Sequence, residues 1–221
     1  MSTAIIGVGH IGKAVATHLT RGGEPVVLAA RTPATAEDLA QHLGPSASAA
    51  TVSGAIRQAR AVLFAVMFDQ MKELIGQHAA LLDGKVVIDP SNPIAITGPG
   101  EFSRTLPDGV SSGSVIARLL PSGAHFAKAF GTVSAETLAT SADRSPDRAV
   151  LFYATDDDIA AATAQRLIAV AGFDPVKVGG LDQAIRIEMF GDLHENGGLN
   201  GKLLTAAQAT ALLAGPPGTT R

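Results

Sequence analysis

Short apolar runs and amphipathic stretches alternate along most of the chain. Ser2 to Val8 reads as a short buried strand, after which apolar residues recur at Ile11, Ala14, Val15 and Leu19 with helical spacing. Gly22-Gly23 closes that helix, and Pro25 opens a second apolar run, Val26 to Ala30. Arg31-Thr32-Pro33 then introduces a helix ending near Gly44, with Thr32 as its N-cap and Pro33 at the first helical position. Further strands are expected at Ala49 to Val52, Ala61 to Val66 and Lys85 to Asp89, the last ending at Pro90-Ser91-Asn92-Pro93. Gly98 to Gly109 reads as a loop, Ser114 to Leu120 as a helix and Ala124 to Ala129 as a strand. Ala149 to Ala154 predicts a strand, Thr155 to about Val170 a helix, and Pro175 to Val178 a last short strand. Leu181 to about Leu213 reads as helical material interrupted by Gly197-Gly198 and Gly201, and Gly215 to Arg221 as a frayed tail. Strands separated by helices predict an α/β fold: a Rossmann-type, doubly wound, mainly parallel sheet with a C-terminal helical extension.

Composition narrows the function. Of 221 residues 46% are hydrophobic and 17% charged, which suits a large core rather than wholesale disorder. The net charge is −3 and the basic residues form no run, so nucleic-acid binding has no electrostatic basis. The longest apolar stretch, Ala61 to Phe68, is far short of the roughly 20 residues that span a bilayer, so no membrane partner is expected. No basic region precedes Ala4-Ile5-Ile6, which predicts a cytoplasmic location. Cysteine is absent, removing thiolate nucleophiles and zinc-thiolate sites.

Gly7-Val8-Gly9-His10-Ile11-Gly12 lies between a predicted strand and a predicted helix, the context in which G-x-G-x-x-G holds a dinucleotide. Gly7 permits the tight turn, Gly9 lets a pyrophosphate approach the backbone, and Gly12 lets helix and strand pack closely. Gly7 to Lys13 also fits the start of a phosphate-binding P-loop, but Ala14 stands where that loop needs a hydroxyl for magnesium. An NAD enzyme places a carboxylate at the end of the second strand; here Ala30-Arg31-Thr32 occupies that place, and Glu24 and Glu37 lie out of reach. A guanidinium and a hydroxyl suit a 2′-phosphate, so the expected cofactor is NADP(H). The alternative is that Arg31 is a solvated surface residue.

Elimination leaves hydride chemistry. Tyr153 is the only tyrosine and is followed four residues later by Asp157, not by the lysine of a short-chain dehydrogenase. Lys202 is followed at the same distance by Ala206, not by the asparagine of two-domain hydroxyacid dehydrogenases. There is no G-x-S-x-G elbow. His194-Glu195 lacks the second histidine of a zinc helix, and Asp156-Asp157-Asp158 reads as a helix cap, so no metal site is expected. His10 is expected to flank the cofactor phosphates, while His18, His42, His78 and His125 read as structural or exposed. With no catalytic side chain evident, catalysis would rest mainly on positioning two planar rings.

The residues resemble the family of NADPH-dependent reductases of coenzyme F-420, an 8-hydroxy-5-deazaflavin. The resemblance rests on Gly7-Val8-Gly9-His10-Ile11-Gly12-Lys13, Ala30-Arg31-Thr32, Val62-Leu63-Phe64-Ala65-Val66 and Val86-Val87-Ile88-Asp89-Pro90-Ser91-Asn92-Pro93. It continues through Lys128-Ala129-Phe130-Gly131-Thr132, Ala154-Thr155-Asp156-Asp157 and Gly197-Gly198-Leu199-Asn200-Gly201-Lys202. It implies that His10, Ile11, Arg31 and Thr32 hold the adenosine phosphates, and that Val66, Met67 and Phe68 line the dinucleotide groove. Asn92 and Pro93 would sit beside the nicotinamide, with F-420 as a co-substrate in a pocket of Thr132, Val133 and the segment Met189 to Leu199. Residues 1–180 would then form the NADP-binding domain, and residues 181–221 a helical segment completing the acceptor pocket or a homodimer interface. Glu188 to Glu195 is more polar than a wall facing a deazaflavin, and the other reading of it is an amphipathic helix at that interface. Another flavin, a quinone or a carbonyl compound as acceptor, and a non-catalytic NADP-binding sensor, are the competing readings.

Overall fold

The computed structural model describes residues 2–98 and 100–215, so the expected tail beyond Gly215 lies outside the described residues. Strands β1 (Thr3–Ile6), β2 (Val26–Ala29), β3 (Ala47–Ala49), β4 (Ala61–Phe64), β5 (Val86–Asp89), β8 (His125–Ala129), β9 (Val150–Ala154) and β10 (Asp174–Gly179) form one sheet. Its order is β10-β9-β8-β5-β4-β1-β2-β3. The neighbours from β8 through β3 run parallel; β9 pairs antiparallel to β8, and β10 runs parallel to β9. The strands β1, β2, β4, β5, β8 and β9 are short and nearly continuous in apolar residues because helices cover both faces.

Alternate residues of each strand supply two separate cores. Ile5, Leu28, Leu63 and Ile88 join Val15 and Leu19 of α1 (His10–Arg21) and Leu167 of α7 (Asp158–Val170) on one face. Ala4, Ile6, Val62, Phe64 and Val87 join Ile56 of α3 (Val52–Gln58), Met71 and Ile75 of α4 (Phe68–Leu82) and Ile116 of α5 (Ser112–Leu119) on the other. The remaining helices are α2 (Pro33–Leu43), α6 (Ala135–Thr140) and α8 (Ala206–Ala214). A third cluster packs Ala184, Ile187, Leu193, Leu199 and Ala209 onto Val150 and Phe152, which fixes the C-terminal segment against β9 and β10.

Three expectations are corrected and one element is added. Val52 starts α3 behind the Thr51 cap, whose hydroxyl accepts from the Gly54 amide at 3.1 Å, so the third strand ends at Ala49. Residues within the expected 98–109 loop pair instead as an antiparallel hairpin, β6 (Ile94–Gly98) with β7 (Glu101–Arg104). The short α6, capped by Ser134, follows β8 and has no apolar stripe long enough to betray it. Finally, Leu181 to Leu213 is a 3₁₀ segment (Leu181–Ile187), a run of turns and then α8, not broken α-helix. The chain folds back on itself there, and a Cβ on Gly198 would lie 2.6 Å from the Asp192 carbonyl oxygen, a contact only glycine escapes.

Candidate functional site

Every residue expected to touch a cofactor lies at one edge of the sheet, because β2, β1, β4, β5 and β8 all end there. Sheet order reverses at β1, whose following helix and that of β4 leave on opposite faces. This switch point opens the crevice where α/β sheets bind ligands.

The three glycines of the first loop differ in what surrounds them. Gly7 has φ +96°, and a Cβ on it would strike the Ala65 carbonyl and lie 2.7 Å from Val66 Cγ1. A Cβ on Gly12 would collide with the Gly7 carbonyl, so α1 seats directly on the turn. A Cβ on Gly9 would meet nothing within 4 Å. That glycine is therefore not required by internal fit, and the space above it adjoins the start of α1. Lys13 N–H is the first to reach back into the helix, to the Gly9 carbonyl at 2.8 Å, and no side chain caps the helix. The amides of His10, Ile11 and Gly12 are thus free at the positive end of the helix dipole. His10 is exposed and Ile11 half-buried beside them.

Arg31 and Thr32, both exposed, follow β2 on the adjacent strand. Thr32 occupies the N-cap position of α2, with Pro33 in its first turn, but its hydroxyl makes no capping bond. Among the described residues, Arg31 joins no ion pair. On the other side of the crevice Val66 is half-buried, Met67 is 50% exposed at the uncapped start of α4, and Phe68 is buried.

Toward β5 and β8 the site becomes a buried polar network. Asp89 Oδ2 accepts from Lys128 Nζ at 2.9 Å, and Oδ1 accepts from the Ser91 amide at 2.7 Å. Lys128 Nζ also donates to the Ser91 carbonyl, closing a circuit inside the protein, since Asp89 and Lys128 are both almost fully buried. The circuit fixes the turn that presents Asn92 and the buried Pro93. Asn92 Nδ2 donates to the Gly131 carbonyl at 3.1 Å, and its Oδ1 accepts from the Met189 amide at 2.7 Å. Asn92 thereby joins the ends of β5 and β8 to the C-terminal segment. The neighbouring hydroxyls of Ser91 and Thr132 are buried with no hydrogen-bond partner among the described residues, and Val133 is buried beside Thr132. Such groups cost free energy unless something pairs with them.

Within the polar run 188–195, Glu188 and His194 are buried and Glu195 is half-buried, while Asp192 is exposed and pairs with Arg186 at 2.8 Å. Glu188 is fully buried and accepts from Ser112 Oγ at 2.8 Å, the Gly113 amide at 3.2 Å and Arg104 at 3.3 Å. Glu195 accepts from the Ser134 amide at 2.5 Å and from Thr137 Oγ1 at 2.6 Å. His194 is buried; burial pushes its pKa down to about 4, against the pull of Glu195 and a Gly131 backbone bond, and its Nδ1 accepts from the Asn196 amide at 2.9 Å. It is a neutral imidazole. These side chains anchor turns within one chain, which corrects the expectation of an amphipathic helix. Met189, Phe190 and Asn196 line a cleft of about 570 Å³ bounded on its far side by Thr97, Glu101 and Phe102 of the hairpin.

Sequence reasoning missed the Asp89–Lys128 pair, the Arg104–Glu188 pair and the hairpin wall. A lysine inside an otherwise apolar strand, in His125-Phe126-Ala127-Lys128-Ala129, was the one available sign of a buried partner.

Residues 2–93 match the family described as NADP oxidoreductase, coenzyme F420-dependent. A solved hypothetical protein from Sinorhizobium meliloti is 30% identical, with a TM-score of 0.80 over 93% of this chain and 95% of that one. A solved Arthrobacter protein, provisionally an F420-dependent NADP-reductase, is 22% identical, with a TM-score of 0.71 over 83% of this chain and 87% of that one. Metalloreductase STEAP3 of Rattus norvegicus is 28% identical over 184 residues, 83% of this chain but 35% of that protein, so the chain spans about a third of that curated relative. Among the described residues no helix is long and apolar enough to cross a membrane.

Proposed function

We propose that the chain, whose residues 2–93 match the family of coenzyme F420-dependent NADP oxidoreductases, moves hydride between NADP(H) at the carboxyl edge of the sheet and a planar acceptor, foremost the deazaflavin coenzyme F-420. The observation that carries the reading is the pairing of the Gly7–Gly9–Gly12 cradle with Arg31 and Thr32 on the next strand. The free amides of His10, Ile11 and Gly12 would take the pyrophosphate, and Arg31 with the uncapped Thr32 hydroxyl would take the 2′-phosphate. Val66, Met67 and Phe68 would line the groove toward Asn92 and Pro93, where the nicotinamide would lie. Asn92 spends its amide on Gly131 and Met189, so its part is to set the distance between the cofactor strands and the C-terminal wall. The buried hydroxyls of Ser91 and Thr132, with Val133, would serve the rings at that end. NADPH would supply the hydride when bound, and the proton that completes reduction of the acceptor ring would come from solvent. No protein proton is needed in that step, which suits a site whose acids and bases are tied up in anchoring.

Anaerobic oxidation of NADPH by the purified protein, with F-420, FMN, FAD and a quinone as parallel acceptors and NADH as control, tests this. Fast reduction of F-420 with NADPH alone is expected. Reduction of another acceptor only would move the chain to a flavin, quinone or carbonyl substrate, and NADPH binding with no turnover would favour a sensor.

A further inference from the structure

We propose that a second pocket, at the amino edge of the sheet, binds a small carboxylate with an apolar body, an aromatic or short-chain acid, held by Arg60, Arg166 and His125. The pocket has a volume of about 310 Å³, at the lower end of the range of small-molecule sites, which suits one ring or a short chain and not a dinucleotide. Ala61, Val86 and His125, the first residues of β4, β5 and β8, line it. These strands run parallel, so the cofactor crevice lies at their other ends, roughly 13 Å away along four residues of strand. An occupant here touches neither cofactor nor acceptor, so its binding does not depend on hydride transfer.

The charges around the pocket are one-sided. Arg60, His125 and Arg166 line it, and among the described residues no acid does. Two neighbouring acids are already committed. Glu24, buried, accepts from Arg166 at 2.5 and 3.2 Å and from the Thr3 hydroxyl at 2.7 Å. Asp157 accepts from His125 Nδ1 at 2.7 Å and from the Ala160 amide at 2.7 Å. Both carboxylates thus orient the cations, and the other ring nitrogen of His125 has no partner among the described residues. Arg60 is exposed and joins no ion pair among the described residues. Its guanidinium is the uncompensated charge, and such a fork matches a carboxylate with two parallel hydrogen bonds.

Ile159 of α7 supplies an apolar wall. It is 55% exposed, while the same helix turns Ala160, Ala164, Leu167 and Ile168 into the core, and it lines the pocket with Ala61 and Val86. An isoleucine left open in a concavity beside guanidinium groups is placed to cover hydrocarbon on a charged ligand. Inorganic phosphate would use the cations and leave that wall bare, whereas a carboxylate carrying a ring uses both.

Benzoate and benzamide share a ring and a size and differ in charge. With NADP⁺ saturating, so that anion sites at the carboxyl edge are filled, titration calorimetry should give benzoate a Kd below about 1 mM and benzamide one about tenfold weaker. In isotope-labelled protein, the amide shifts that benzoate induces should centre on Ala61, Val86 and His125. Arg60→Glu should weaken benzoate by about tenfold or more, and Ile159→Ser by about threefold, with NADP⁺ affinity unchanged. Both variants should keep the fold by circular dichroism, because Arg60 bonds Ser2 and Val86 through its backbone and Ile159 is exposed. Benzamide binding as tightly as benzoate, inorganic phosphate binding more tightly than benzoate, shifts centred elsewhere, an affinity that Arg60→Glu does not move, or no saturable binding would overturn the proposal.

Discussion

At the scale of single residues, Arg31, Gly9 and His194 carry separable predictions. Arg31→Ala should weaken NADPH by about 1–3 kcal/mol, roughly five- to 150-fold, and NADH hardly at all, as measured by titration calorimetry. Equal losses would remove the 2′-phosphate role. Gly9→Val should abolish binding of both dinucleotides with the fold intact by circular dichroism, because its Cβ enters open space rather than protein. His194 is neutral in the fold, with its pKa lowered from 6.5 to about 4 by burial. A depressed folded pKa gives stability that is fully present above the unfolded value and is lost as pH falls toward the folded one. The unfolding free energy from denaturant titration should therefore drop between about pH 6.5 and pH 4, by at most about 3 kcal/mol from this residue. His194→Asn, whose oxygen can replace Nδ1 as acceptor for the Asn196 amide, should flatten that slope.

At the scale of elements, the junction of β5 and β8 depends on a charge pair sealed inside the protein. Lys128→Met leaves the Asp89 carboxylate buried without its cation and should destabilise by about 3–5 kcal/mol. Asp89→Asn combined with Lys128→Met should recover much of that loss, since Asn keeps an acceptor for the Ser91 amide. A double variant as unstable as the single one would show that the pair acts through shape rather than charge. The same junction marks the limit of what the sequence made legible. The strand–glycine–helix opening could be read because apolar period and turn chemistry are local. Asp89 and Lys128 are 39 positions apart, and Asn92 and Met189 are 97 apart, and no local pattern encodes such bonds. The hairpin at 94–104 was hidden for another reason: its strands carry mostly exposed residues, so no buried stripe distinguishes them from the loop they adjoin.

At the scale of the whole molecule, a parallel sheet collects distant segments at one edge. Residues from Gly7 to Val133, scattered along the sequence, share that edge because β2, β1, β4, β5 and β8 end together, spread across roughly 20 Å at the usual strand spacing. The reversed strands β9 and β10 then support the C-terminal segment, whose Glu188 and Glu195 pin it to the starts of α5 and α6. Those polar residues conflicted with an apolar wall in sequence because composition does not tell which way a side chain points. On this account the protein brings two rings together and excludes water, leaving the chemistry to the cofactor. Deuterium transfer tests that claim most directly. NADPH labelled with deuterium at the transferred position of C4, incubated anaerobically with the enzyme and oxidised F-420 in ordinary water, should place the label on carbon 5 of the reduced deazaflavin, where it does not exchange. Reduced F-420 carrying hydrogen from water instead, or none formed while NADPH binds, would contradict direct hydride transfer between two rings held at this edge.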